Sequence, residues 1–203
     1  MTIPSIVVFD LGKVLVDFDY SRAGRSLAAQ ANLSAAEIQA YLDHSPLLFR
    51  YETGKLTRQE FYETVCRQTG FRGSLEEFSV LFADIFTEIG EMTALHAALR
   101  ERGVPTYIFS NTNDLAIEHI RRDFPFFAHF DGYIFSYEVG AMKPEAKIYE
   151  ALETLTEKGG DEILYLDDRA ENIAAGAARG WRTILQTDPA QSRAEIERLG
   201  LLD

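Results

Sequence analysis

Short apolar runs that each stop on a small or acidic polar residue constrain this chain more than any other feature. Residues 3–9 (IPSIVVF) end at Asp10-Leu11-Gly12, and residues 104–109 (VPTYIF) end at Ser110-Asn111-Thr112. Residues 162–166 (EILYL) end at Asp167-Asp168, and residues 182–186 (RTILQ) end at Thr187-Asp188. A weaker run, 132–135, ends at Ser136. Nearly continuous apolar stretches rich in β-branched residues are what strands buried on both faces look like. Helical patterns separate them. Met92, Leu95 and Leu99 recur at helical spacing before Gly103, a good C-cap, and residues 115–122 follow Asn113, a good N-cap. Residues 144–156 open on Pro144, residues 172–178 stop before Gly180, and residues 189–199 come last. Strands alternating with helices predict an α/β fold, a doubly wound, Rossmann-like parallel sheet.

One segment breaks the alternation. From about residue 20 to residue 88 there is no strand-like run, only amphipathic helical patterns over 22–32, 34–43, 57–69 and 74–86. Ser34-Ala-Ala-Glu37 and Thr57-Arg-Gln-Glu60 are capping-box patterns, in which a hydroxyl and a carboxylate satisfy each other's backbone donors. The expected organisation is therefore an α/β core, residues 1–18 and 89–203, with an all-helical cap, residues 19–88, inserted after the first strand.

The 203 residues include 20 Lys+Arg and 32 Asp+Glu, a formal charge of −12. That balance argues against nucleic acid, whose phosphates are held by clustered Lys and Arg, and against an anionic membrane surface. Cys66 is the single cysteine, so no internal disulfide can form. The start MTIPSIVVFD lacks a basic n-region and a long apolar stretch, and no window suits a membrane span. The expectation is a cytoplasmic protein, with a monomer and a homodimer equally open.

The polar residues gather where strands stop: Asp10, Ser110, Asn111, Asp167 and Asp168. In open α/β sheets, ligands bind outside the carboxyl ends of the strands. Asp167-Asp168 together with Asp10 would repel one another if left dry and unpaired, and a hard divalent cation such as Mg²⁺ resolves this. Ser110 and Asn111 offer donors to an anion, and Lys143 supplies a point charge. Such a set suits phosphoryl transfer with a carboxylate nucleophile. Each residue also has a plainer reading: Asp10, Asp167 and Asp168 as helix caps, Ser110 and Asn111 as turn formers, Lys143 as a surface lysine. The joint pattern favours chemistry.

FDLGKVLVD, FSNTN, GAMKPEAKIY and LYLDDRAENI, in this order and with a helical insertion after the first, resemble the four motifs of the haloacid dehalogenase superfamily. The resemblance spans nearly the whole chain. Within the superfamily the motifs look closest to helical-cap phosphatases acting on glucose 1-phosphate, and the first is similar to the phosphatase domain of bifunctional epoxide hydrolases. The resemblance implies a Mg²⁺-dependent phosphatase of a small phosphorylated metabolite, working through an aspartyl-phosphate. It implies Asp10 as nucleophile and metal ligand, and Ser110 with Asn111 as phosphoryl binders. Lys143 would hold Asp10 and the phosphate. Asp168 would ligate Mg²⁺, with Asp167 acting directly or through water. The N–H groups of Leu11 and Gly12 would face the phosphoryl oxygens, and the Gly12 carbonyl would reach the metal.

One position departs from the pattern. Most family phosphatases carry a second Asp two residues after the nucleophile, which protonates the leaving group and later activates water; here that residue is Gly12. General acid–base help is worth about 10²–10⁴-fold. Its loss suits a good leaving group, such as a sugar 1-phosphate, or a substitute donor from the cap. Two alternatives stay open: a 2-haloacid dehalogenase, which needs no metal, and a phospho-ligand-binding regulatory module of poor turnover. Lys13, Arg50 and Tyr51 are secondary substrate-contact candidates. His44, His96, His119, His129 and Cys66 fall outside every motif and read as structural, and the Phe-rich stretch 124–130 reads as core.

Overall fold

The computed structural model describes residues 3–43 and 45–202, so His44 lies outside the described residues. The chain begins with β1 (Ile6–Phe9) and β2 (Val16–Phe18). Five helices follow: α1 (Tyr20–Ala28), α2 (Ala35–Leu42), α3 (Pro46–Glu52), α4 (Arg58–Thr69) and α5 (Leu75–Ala83). Next come β3 (Phe86–Glu88), α6 (Gly90–Glu101), β4 (Thr106–Ser110), α7 (Asp114–Asp123), β5 (Gly132–Phe135), α8 (Ser136–Val139) and α9 (Ala146–Thr156). The last elements are β6 (Ile163–Asp167), α10 (Ala170–Ala178), β7 (Arg182–Leu185) and α11 (Pro189–Arg198).

Five strands form one parallel sheet in the order β5-β4-β1-β6-β7. Both faces are covered, and the strand alternation sorts side chains between them. Val7 and Phe9 of β1 and Leu164 and Leu166 of β6 join Met92, Leu95 and Leu99 of α6, Ile117 and Ile120 of α7 and Ile196 of α11. Ile6 and Val8, with Ile163 and Tyr165, face the other way, onto Ile148, Tyr149 and Leu152 of α9. Two-sided burial is why these strands read as apolar runs rather than alternating ones. Phe127 and Phe130 of the Phe-rich stretch are buried in the first of these layers, as expected.

The helices α1 to α5 enclose a third apolar cluster, with Phe61, Phe78 and Phe82 packed ring to ring at its centre. Leu115 of α7 joins that cluster and docks it on the sheet domain. The capping boxes at Ser34–Glu37 and Thr57–Glu60 form, and a third forms at Ser74–Glu77. Two expectations need correction. The segment 20–88 does hold a strand: β3 pairs antiparallel with β2. Three residues, one of them half-buried and two exposed, are too few to show an alternation. Pro144 does not open its helix. It sits in a turn closed by Glu145 N–H to the Met142 carbonyl at 2.7 Å and Met142 N–H to Glu145 Oε1 at 3.1 Å, and α9 starts at Ala146.

Candidate functional site

The register of the sheet brings the polar strand ends together. Phe9 pairs with Leu166 on one side and Ile108 on the other, so Asp10 stands level with Asp167 and one residue short of Ser110. Carboxylate oxygens of Asp10, Asp167 and Asp168 all lie within 4.8 Å of one another. Lys143 reaches into this cluster from the loop between α8 and α9. Its Nζ lies 3.0 Å from Asp10 Oδ1 and 2.7 Å from Asp167 Oδ2, and it donates to the Phe109 carbonyl at 2.8 Å. The side chain is almost wholly buried, and its charge is fixed by three oxygens. Asn111 holds the lysine's own backbone from both sides, accepting from Lys143 N–H at 2.8 Å and donating to its carbonyl at 3.0 Å.

Asp167 is the most heavily bonded member. It accepts from Lys143, from the Tyr165 hydroxyl, from Arg169 N–H at 2.8 Å and from the Asn172 amide at 3.0 and 3.2 Å. Tyr165 can reach it because residues two apart on a strand share a face. Asn172 is set by its place on α10, its carbonyl accepting from Tyr149 at 2.9 Å. Asp10 Oδ1 also accepts from Leu11 N–H at 2.7 Å. Ser110 is buried, its hydroxyl 3.4 Å from the Asn111 carbonyl.

Electrostatics follow from this crowding. Burial pushes the Asp10 carboxyl up to about 7, with Lys143 pulling it back and Asp167 adding to the rise. Burial and the neighbouring Asp167 also raise Asp168. Burial works against the charge of Asp167 too, yet Lys143 outweighs it and holds that carboxyl below its usual range. Burial would deprotonate Lys143, but Asp10 and Asp167 keep it charged. Three carboxylates against one ammonium leave two negative charges to be balanced, which is the chemistry of a divalent-cation site.

Asp10, Asn111, Lys143, Asp168 and Asn172 line a cavity of about 480 Å³ that the helical region roofs with Gln39, Asp43, Leu48, Phe49 and Glu52. Of the secondary candidates, Lys13 lines it, paired with Asp17 and 4.7 Å above the Phe18 ring. Arg50 is exposed and Tyr51 turns away to donate to Asp114 of α7, so neither lines the cavity. His96 and His119 are buried, and Cys66 packs against the helical cluster. Sequence reasoning missed Tyr165, Asn172, Phe18 and Glu52. Asn172 carries a signal, lying five residues after Asp167 at the start of a helix; Glu52 carries none beyond its neighbours Arg50 and Tyr51.

A family model described as haloacid dehalogenase-like hydrolase matches residues 4–180. The chain belongs to the haloacid dehalogenase-like hydrolases. It is 27% identical over 199 residues to D-ribitol-5-phosphate phosphatase of Bacteroides thetaiotaomicron, covering 94% of this chain and 95% of that one. A sesquiterpene phosphatase of Aspergillus oryzae is 26% identical, over 74% of this chain and 77% of its own. Among solved structures, a haloacid dehalogenase family enzyme of Bacteroides thetaiotaomicron in complex with magnesium and inorganic phosphate superposes with a TM-score of 0.78 at 22% identity. The superposition covers 89% of this chain and 93% of that one, and it establishes the fold. Like its phosphatase relatives, the chain is a hydrolase. Among the described residues no helix is long and apolar enough to cross a membrane.

Proposed function

We propose that this hydrolase is a Mg²⁺-dependent phosphatase that removes the phosphoryl group of a small hydroxylated metabolite, with Asp10 as the nucleophile. The observation that carries the reading is the Lys143 bridge between Asp10 and Asp167 in a cluster of three carboxyls, which when ionised exceed that one ammonium by two charges. Residues 1–18 and 89–203 act as the catalytic core and residues 19–88 as the cap. Asp10, Asp168 and the Gly12 carbonyl would hold Mg²⁺. Asp167, its oxygens already engaged by Lys143, Tyr165, Asn172 and Arg169 N–H, would act through water. Bound there, Mg²⁺ supplies positive charge to the phosphoryl oxygens.

The chain's own residues do the rest. Lys143 and Leu11 N–H both anchor Oδ1 of Asp10, which leaves Oδ2 to attack phosphorus. Ser110, Asn111 and the Gly12 N–H receive the equatorial oxygens, the Leu11 N–H being held by Asp10 Oδ1. Attack forms the Asp10 Oδ2–P bond and breaks the bond from phosphorus to the leaving oxygen. Water then attacks the aspartyl-phosphate, and phosphate leaves. Gln39 and Asp43 face the cavity from the cap and suit the hydroxyls of a sugar or polyol phosphate, the class named for the Bacteroides relative. A screen of phosphorylated sugars and polyols with Mg²⁺, reading inorganic phosphate, tests the reading. Turnover should vanish with EDTA and in Asp10→Asn; activity on 2-haloacids that survives EDTA would point to the dehalogenase alternative.

A further inference from the structure

Gly12 stands where the resemblance expects a proton-transferring aspartate, and the molecule offers another carboxyl to the same space. Glu52, the last residue of α3, lines the main cavity beside Asp10, Lys143 and Asp168. It also lines a small adjoining pocket, of about 70 Å³, with Gly12, Ser110 and Asn111. Gly12, Phe18, Tyr20 and Asn111 border both spaces as well, and Glu52 is the one carboxylic acid that does so among the described residues. It therefore borders both the cavity over Asp10 and the pocket beside Ser110. We propose that Glu52 is the general acid–base residue of this phosphatase, supplied by the cap in place of the side chain that Gly12 lacks. The assignment rests on the phosphatase reading above.

Its surroundings suit the role. Asn113, the N-cap of α7, lies beside the Glu52 carboxyl on the core side and pulls its pKa down. The Asn113 side-chain oxygen accepts from Ala116 N–H at 3.0 Å, so its amide end is the one turned to a carboxyl acceptor. Phe18 and Tyr20 wall off the same corner, their rings 5.9 Å apart. The ionisable groups that share the cavity with Glu52 are Asp19, Tyr20 and Asp43 from the cap and Asp10, Lys13, Lys143, Asp168 and Arg169 across from it. Burial pushes the Glu52 carboxyl up to about 8, against the pull of Asn113. A carboxyl in that state carries a proton at neutral pH and can give it away.

The steps balance. As the Asp10–P bond forms and the leaving oxygen departs, the Glu52 proton passes to that oxygen, so the alcohol leaves neutral and Glu52 becomes a carboxylate. Water then attacks the aspartyl-phosphate and its proton returns to Glu52. The P–O bond to water forms, the Asp10–P bond breaks, and the original protonation is restored.

Leaving-group dependence tests this directly. With Mg²⁺ present, kcat/KM is measured for Glu52→Gln, Glu52→Ala and the wild type on phenyl phosphate and p-nitrophenyl phosphate, and thermal melting checks each fold. kcat/KM includes the step in which the first bond to phosphorus breaks, where a poor leaving group needs the proton. Both variants should lose about 10²-fold or more on phenyl phosphate, and at least tenfold less on p-nitrophenyl phosphate. Equal losses on the two substrates, or no loss, in folded variants would overturn the assignment. A wild type that releases phosphate from neither would overturn the phosphatase reading and this assignment with it.

Discussion

Phe18 stands where a side chain on residue 12 would go. A Cβ added to Gly12 would lie 2.9 Å from Cε1 and 3.4 Å from Cδ1 of the Phe18 ring. The ring is held there by edge contacts with Tyr20 and Phe86, at 5.9 and 6.5 Å between centroids. The glycine and the β2 aromatic are thus one steric unit. Gly12→Ala should lower the melting temperature through overpacking, by the equivalent of about 1–3 kcal/mol, and most of that penalty should disappear in a Phe18→Ala background. Additive effects in the double-mutant cycle would show that the two residues do not compete for space.

Lys143 holds two buried carboxylates at once. Lys143→Met should destabilise the protein by about 3–5 kcal/mol, because removing one partner leaves buried charge uncompensated. Mg²⁺ should recover part of the loss, since a divalent cation can take over the balance. Urea titrations with and without Mg²⁺ measure both effects. Phosphate release should stay abolished even where stability returns, because only Leu11 N–H then anchors Asp10 Oδ1 and no ammonium faces the phosphoryl group. Lys143→Arg should fail too, as a planar guanidinium cannot fit a site shaped for a point charge.

Asp10 behaves differently from Lys143. Burial holds its carboxyl up near 7, so its charged form is costly in the folded chain. Asp10→Asn should therefore abolish turnover while leaving the melting temperature unchanged or slightly higher. A lower melting temperature would mean that the Lys143 contact outweighs burial.

Mg²⁺ should raise the melting temperature of the wild type. A ligand at a hundred times its dissociation constant stabilises by about 2.7 kcal/mol, or about 5–10 °C for a chain of this size. Asp168→Asn should blunt the rise far more than it alters the metal-free protein, since among the three carboxylates Asp168 is the one half-exposed. Equal Mg²⁺ responses in variant and wild type would remove Asp168 from the metal site.

Most of the sheet domain was legible because its strands are buried on both faces: IVVF and ILYLD can be little else. The strand ends alone set Asp10, Ser110, Asp167 and Asp168 at one edge of the sheet. Two kinds of feature stayed hidden. Short elements such as β3 and α3 are fixed by their partners, β2 and the apolar cluster around Phe61, rather than by their own periodicity. Residues aimed across a domain boundary leave no spacing signal. Tyr51 and Glu52 are adjacent in sequence, yet Tyr51 bonds Asp114 while Glu52 lines the cavity. Only the docking of α3 on α7 tells them apart.

His96 gives a pH signature independent of the site. It is 2% exposed, stacked on Phe130 with centroids 3.8 Å apart, and its Nε2 lies 3.1 Å from Thr106 Oγ1. Burial, helped by Arg100 and His129, pushes its pKa down to about 4. An unfolded histidine titrates near 6.5, so between about 4 and 6.5 the unfolded chain binds a proton that the folded chain refuses. The stability from neutral His96 is therefore complete above about 6.5 and is lost as pH falls toward 4. The loss amounts to at most about 3 kcal/mol over that window. Unfolding free energies across this range should rise with pH more steeply in the wild type than in His96→Gln, which has no proton to gain. Parallel curves would mean that the imidazole reaches water in the folded protein and that its stacking on Phe130 does not exclude the charged form.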